Sequence, residues 1–584
     1  MRLLSGHRCA FALCALILAL VVPCALLAQG GEPKYFAIRG AKVVPVSGPP
    51  LEDATVLMAH GVITAVGKDV KIPDEAWVID GKGLTVYPGL IDAFTDIGIP
   101  AAAAPAAPEG GGCRRGGGGG GGNPAEPPAR GPEDRPQSAP WRSGADEVSL
   151  SDSRIATWRE GGFTTVISSP KGGIFPGQAA VLDLAAADHP GELVVKAPVA
   201  IPLNLTAARG FGNGFPDSLM GVLGYVHQVW LDTEWSTKAQ ELYEKNPRGV
   251  ARPRYDRTEA ALSDALEDHA IVLIPANSSL QLRRGLELAD RWQLKGAVLY
   301  GGQMAYEVAP EIATKKMDVL VNLKWPEAEK DADPDQTPSL RTLRFRDRAP
   351  SAPAALAKSN VKFAFYDGGA AAPKDVLKAA KKSIDAGLAP DAALRAFTLS
   401  AAEIFGVADR LGSIDKGKIA NLVVTDGDLF DEKTKIKYVF VDGERYDIHE
   451  PEKPKDPPKG DISGTWKLSY TSPEGPEEST VSVEMAKDGT LSGTVTGHRG
   501  TSNIISGYLS ADKFSFVINL PIQDTPTDVT FSGTFDGTSL KGTISVLGYA
   551  IDFTGVKPMA QAAGARAAGT QADDEAASRQ GDLR

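Results

Sequence analysis

The chain is short of the two residue types that most often carry metal and redox chemistry. Its 584 residues include four cysteines and seven histidines. Three of the cysteines, Cys9, Cys14 and Cys24, fall in an N-terminal segment that reads as a removable leader. Its loss would leave Cys113 alone, which excludes an internal disulfide. No two histidines are separated by one residue, so there is no His-x-His pair to aim two imidazoles from one side of a strand at one ion. Cys113 sits in a glycine loop with no base nearby, which argues against a thiol nucleophile. No phosphate-binding glycine fingerprint opens a helix; the glycine run at 116–122 is low complexity. After the leader no stretch reaches the ~20 apolar residues that span a bilayer, so no transmembrane segment is expected in the mature chain. Excess positive charge is lacking too. The net charge of −11 falls to about −13 without Arg2 and Arg8, which excludes nucleic acid held through its phosphates as a partner.

What the N-terminus does contain is an address. Arg2 and Arg8 precede the apolar run "FALCALILALVV", and "CALLAQG" follows with small residues near Ala28. This is the layout of a signal peptide over 1–28. The expected location is therefore periplasmic or secreted, in a bacterial-type envelope. A lipid anchor at Cys24 is the weaker alternative, because Pro23 immediately precedes it.

Periodicity divides the remainder. From 35 to 85, "YFAIRGAKVVPVSGPPLEDATVLMAHGVITAVG" alternates apolar and polar residues between turns, the mark of short antiparallel strands. From 86 to 405, apolar runs such as "FTTVISS", "AIVLIPA", "GAVLYGG" and "VKFAFYDGG" alternate with amphipathic stretches such as "LQLRRGLELADRWQ". Strands alternating with helices give an α/β class and a parallel sheet, and their number favours a closed (β/α)8 TIM-like barrel. The Gly- and Pro-rich insertion at 101–137 cannot bury a core and reads as a disordered loop. Short strands return over 406–448 and are expected to join the N-terminal ones in a composite β-sandwich. A Pro- and Lys-rich linker covers 449–461. Alternating strands with spaced aromatics over 462–557 suit a separate antiparallel β-barrel, weakly similar to lipocalin- and avidin-like barrels through "GTWKLSY" and expected to be filled by its own side chains. Residues 558–584 read as a disordered tail.

Three stretches together resemble the amidohydrolase superfamily, in particular its imidazolonepropionase-like branch. They are "VIDGKGLTVYPGLIDAFTD", "GGFTTVISSPKGGIFPGQAAVL" and "LRAFTLSAAEIFGVADRLGSIDKGKIANLVV". Asn421 in the last stands where the family usually has Asp. The resemblance covers Tyr35 to Ile448. It implies a hydrolase of carbon–nitrogen bonds other than peptide bonds, a small-molecule substrate and often a homodimer. It also implies one or two divalent metals, zinc in the family, which activate water while an Asp at the end of the eighth strand takes the proton.

Carried over residue by residue, most of the implied ligand set is missing. The two strand-one histidine positions fall on Phe94 and Asp96, the strand-five position on Pro275, and the strand-six position on Gly301. Asp367 stands at the eighth-strand position and is the candidate acid/base. Asp92, Asp96 and Asp367 together would suit magnesium or calcium better than zinc; the plainer alternative has Asp92 capping loop amides and the other two solvated. In "PKGGIFPGQ", Lys171, Gly172, Gly173 and Gln178 are candidates for holding an anionic or carbonyl group of a ligand, though the glycines equally suit a tight turn. The expectation is an exported amidohydrolase-family protein with a degenerate metal site. The alternative is a non-catalytic periplasmic small-ligand binding or scaffold protein.

Overall fold

The computed structural model describes residues 35–557 apart from 101–134, 136, 207–215, 295, 329–336, 449–455, 473–474, 499, 523–524 and 547–548. The leader, Cys113, nearly all of the Gly- and Pro-rich insertion and the C-terminal tail lie outside the described residues. The chain forms two compact units, Met1–Ile448 and His449–Arg584.

The first unit opens with five short strands: β1 (Tyr35–Val43), β2 (Leu51–Ala59), β3 (Val62–Gly67), β4 (Trp77–Asp80) and β5 (Thr85–Pro88). Eight barrel strands follow: β6 (Leu90–Thr95), β7 (Phe163–Ser168), β8 (Ala179–Asp183), β9 (Val194–Pro202), β10 (Ile271–Ala276), β11 (Ala297–Gly301), β12 (Asp318–Asn322) and β13 (Phe363–Tyr366). They hydrogen-bond in sequence order as one sheet. The helices that bear on the site are α1 (Arg154–Glu160), α2 (Leu219–Lys245), α3 (Arg257–Glu267) and α4 (Ser279–Arg291). Successive side chains on a strand face opposite ways, and two apolar layers result. In β10, Leu273 faces the barrel interior with Ile91, Val298 and Leu320, while Val272 and Ile274 pack outward against helix residues such as Leu282 and Leu286. Each such side chain contributes about 1.5–3 kcal/mol when fully buried.

Two features depart from the sequence reading. The barrel, expected from residue 86, begins only at β6, because β5 pairs with β1 and β14 in the first sheet. β5 ends at Pro88, and at Gly89 an added Cβ would lie 2.0 Å from Thr164 Oγ1. The barrel is also not wholly parallel, because β8 runs antiparallel to both β7 and β9. A parallel neighbour needs a crossover of a dozen or more residues, and the short turn from Ser169 to Gln178 carries no helix.

After the barrel, β14 (Leu422–Thr425), β15 (Ile436–Val441) and β16 (Glu444–Asp447) return to the first strands through β14 and β5. The resulting eight-stranded sheet folds over its own core, which includes Ile38, Val56, Leu422 and Phe440. Its distant strands meet face to face: Phe36 of β1 packs 5.8 Å from Phe440 of β15, and Arg445 of β16 lies over Trp77 of β4.

The second unit is a closed up-and-down barrel of eight strands, β17 (Gly464–Ser472) through β24 (Tyr549–Val556). Trp466, Phe514, Phe516, Phe531 and Phe553 are buried in its core. Phe516 and Phe531 stack with centroids 4.8 Å apart.

Candidate functional site

The end of the barrel where β6 and β13 meet holds the carboxyl groups. Asp92 lies on β6 and is fully buried; Asp367 follows β13 and is 6% exposed. Asp92 Oδ1 accepts from the backbone N–H of Phe94 at 3.3 Å and of Asp367 at 3.2 Å. It therefore ties the two strands together across the barrel seam. The Trp158 indole N–H, on α1, is close enough to favour the charged form of Asp92. Its geometry falls short of a hydrogen bond, so Trp158 Nε1 and Asp92 Oδ2 are both buried without a partner. Burial raises the Asp92 carboxyl well above the usual range, and the neighbouring Asp367 raises it further. Burial likewise raises Asp367, against the pull of the Gly369 N–H. Two buried acids this close disfavour each other's ionisation.

Asp96 is set apart from them chemically. Its Oδ1 receives Arg154 Nη1 at 2.9 Å and its Oδ2 receives Lys171 Nζ at 2.5 Å. Burial acts to raise its pKa, but Lys171 and Arg154 outweigh that and hold the carboxylate low. Arg154 also grips Asp152, whose Oδ2 accepts from Gly98 N–H at 2.9 Å. Neither Asp96 nor Asp367 is simply solvated, as the plainer reading of the sequence has it.

The positions expected to bear imidazoles are filled differently. Phe94 packs against Tyr300 of β11 at 5.0 Å and Tyr366 of β13 at 5.9 Å, an aromatic triad at the centre of the barrel mouth. Tyr300 donates to the Leu203 carbonyl at 2.8 Å, and burial raises both phenols above their ordinary range. Pro275, on β10, has no lone pair on its side chain. Gly301, closing β11, has φ +118°, and a Cβ there would lie 2.5 Å from Asn277 Oδ1 and 2.8 Å from the Ala276 carbonyl. No side chain of any kind fits that position without a backbone shift. Among the described residues, no three His, Cys, Asp or Glu side chains are grouped to hold a metal ion. Zinc wants imidazole, thiolate or carboxylate in a tetrahedron, and Phe94, Pro275 and Gly301 bring none of these.

Of the loop candidates, Lys171 is engaged with Asp96. Gln178 Nε2 donates to the Ala261 carbonyl at 3.1 Å. Gly172 has open space around it, whereas a Cβ at Gly173 would meet the Gln137 carbonyl at 2.5 Å. That same carbonyl accepts the Ile174 and Phe175 amides, so the segment binds the end of the long insertion to the barrel. His227 stacks on Trp292 at 6.1 Å, away from the carboxyls. Sequence reasoning missed Arg154, Trp158, Tyr300 and Tyr366. The readable signal for the tyrosines was their place on the same two strand ends as Gly301 and Asp367.

On the opposite end of the barrel, Asp183 of β8 is fully buried. Its Oδ1 accepts from Thr165 Oγ1 at 2.6 Å and Asn421 Nδ2 at 3.0 Å, and Oδ2 has no partner. Burial, with a contribution from Asp442, pushes its carboxyl up to about 8. In the second unit, an open cleft of about 1240 Å³ lies against Tyr470, Glu477, Ile551 and Phe553, and holds none of these groups.

A barrel of this order, capped by a sheet built from both ends of its unit, is the amidohydrolase fold. Residues 337–446 match the amidohydrolase family. The structure is similar to that of an amidohydrolase from Thermotoga maritima MSB8, with a TM-score of 0.54, 22% identity, and coverage of 70% of this chain and 99% of that one. It also aligns with a putative prolidase from Bifidobacterium longum (TM-score 0.44, 16% identity, 71% and 95% coverage) and with molinate hydrolase (0.41, 17%, 72% and 96%). No curated protein matches the chain. The resemblance to the amidohydrolase superfamily thus holds in fold and over the matched segment, and the added C-terminal β-barrel stands beside it.

Proposed function

We propose that this chain is an exported protein of carbon–nitrogen hydrolase descent whose barrel no longer carries out metal-dependent hydrolysis. The observation that carries the reading is the packing of Phe94 against Tyr300 and Tyr366, which occupies the place of the strand-one imidazoles with apolar surface. Three further facts support it. Gly301 has no room for a side chain, Pro275 offers no donor, and Asp96 is neutralised by Arg154 and Lys171. In the family, a bound metal would supply activated water; here the acids left at the strand ends are Asp92 and Asp367, both raised by burial. A second reading, small-ligand binding without turnover, is favoured by a cavity beside Tyr300 whose donors lack acceptors among the described residues. The test is a hydrolysis screen of cyclic and linear amides with zinc, manganese or magnesium added, on the wild type and on Asp367→Ala. The expected result is no metal-stimulated turnover in either. Metal-stimulated turnover that Asp367→Ala abolishes would sink the proposal.

A further inference from the structure

A cavity of about 130 Å³ opens at the C-terminal ends of β9, β10 and β11, against the first three turns of α4. Its polar lining comes from Asn204, Thr206, Asn277, Gln281, Arg284 and Tyr300. The local sequence builds it. Asn204 and Asn277 stand just past the apolar runs of β9 and β10, where the strands end and side chains reach the rim. Ser278 caps α4 by accepting from Gln281 N–H at 3.3 Å, and Gln281 Oε1 accepts from Asn277 N–H at 2.9 Å. Gly285 lets the helix close onto β11, since a Cβ there would meet Leu299 at 2.5 Å. Arg284 is thereby held over the cavity instead of on the solvent face.

Arg284 is half-buried, yet among the described residues it has neither an ion pair nor a hydrogen bond. The side-chain amide N–H groups of Asn204, Asn277 and Gln281 likewise have no acceptor among the described residues, although the carbonyl ends of Asn204 and Gln281 are taken by backbone N–H groups. The lining includes no carboxylate. A half-buried guanidinium and three amide donors line one space with no acid present, the donor set that an anion requires. The positive end of α4 adds to the same field. The volume is close to the ~150 Å³ of a cavity that takes one benzene ring, which limits the occupant to roughly half a dozen heavy atoms.

We propose that this cavity binds a small carboxylate, its planar carboxyl group paired with the Arg284 fork and its short apolar remainder against Leu288 and Ile274. The site is separate from Asp92 and Asp367, and the inference stands whether or not the barrel hydrolyses anything.

The experiment uses the full mature chain and titrates propionate, propionamide and inorganic phosphate by calorimetry and ligand-detected NMR. Propionate is expected to bind saturably below about 10 mM, with propionamide and phosphate each at least tenfold weaker. Arg284→Gln should weaken propionate at least tenfold while leaving the circular dichroism spectrum unchanged. Absence of saturable propionate binding would overturn the proposal, and so would equal binding by Arg284→Gln. Phosphate binding more tightly than propionate would overturn the carboxylate assignment. Should Arg284→Gln fail to fold, the comparison of propionate with its neutral isostere decides: equal affinities refute the charge pairing.

Discussion

Replacing Asp183 by Asn isolates the cost of keeping a carboxyl in the middle of the first unit. In the folded chain this acid ionises near pH 8, against 3.8 for the free group, because burial and Asp442 both disfavour its charge. An acid whose folded pKa is raised binds a proton on folding at pH values between the two. Its contribution is thus fully present below about pH 4 and is lost as the pH rises through about 8. At about 1.36 kcal/mol per pH unit, the interval from 3.8 to about 8 sets an upper bound of roughly 5–6 kcal/mol on the loss. Asn421 bears on the size of this effect, since its Nδ2 donates to Asp183 Oδ1 while its Oδ1 accepts from Asp442 N–H at 2.8 Å. The family's usual Asp at 421 would remove that donor and set a second carboxyl against the first. The assay is urea unfolding between pH 5 and pH 8.5, followed by far-ultraviolet circular dichroism. Its helical signal reports the first unit, because the described residues of the second form strands without helices. Wild type is expected to lose several kcal/mol across this range, and Asp183→Asn to show a markedly flatter profile. Asn421→Asp should steepen it and lower stability throughout. Identical slopes for wild type and Asp183→Asn would show that Asp183 is not the group responsible.

Other perturbations probe the barrel mouth and the second unit. Gly301→His, which puts an imidazole where the resemblance implies a strand-six ligand, should destabilise by about 2–6 kcal/mol from left-handed backbone strain and overpacking, and should gain no zinc in equilibrium dialysis. Asp92→Ala leaves the Phe94 and Asp367 amides without their acceptor and should cost about 2–5 kcal/mol, with Asp92→Asn recovering much of it; chemical denaturation of the two variants measures the difference. Phe516→Ala, in the aromatic stack of the C-terminal barrel, should lower that unit's stability by about 3–5 kcal/mol, read from hydrogen exchange of that barrel's strand amides in the full chain.

The layers of the fold were legible because periodicity encodes burial. Alternating runs gave the sheet of the sandwich and the C-terminal barrel, and apolar runs between amphipathic helices gave the larger barrel. The direction of β8 was not legible, since "AAVLDL" buries the same way whichever way it runs. Nor were pairings between distant residues. Asn421 reaches Asp183 across 238 positions, and Asp96 meets Arg154 only because α1 folds back over β6. Phe94, Pro275 and Gly301 stand where the resemblance implies ligands, but the packing of Tyr300 and Tyr366 beside Phe94 required the strands to be brought together. Arg284 was hidden for a different reason. In "LQLRRGLELADRWQ" it looks like one more charge on a solvated face, and only its lack of a partner among the described residues of the folded chain marks it out.

If the barrel mouth, with Phe94 packed against Tyr300 and Tyr366 beside the buried acids Asp92 and Asp367, is no metal site, as we propose, the protein should not retain a transition metal. Elemental analysis of the purified mature protein decides this, as isolated and after incubation with zinc, manganese and magnesium followed by dialysis. The expected result is far less than one metal ion per chain in a protein that remains folded. Near-stoichiometric transition metal that survives dialysis and is lost on substitution of Asp92 or Asp367 would contradict it.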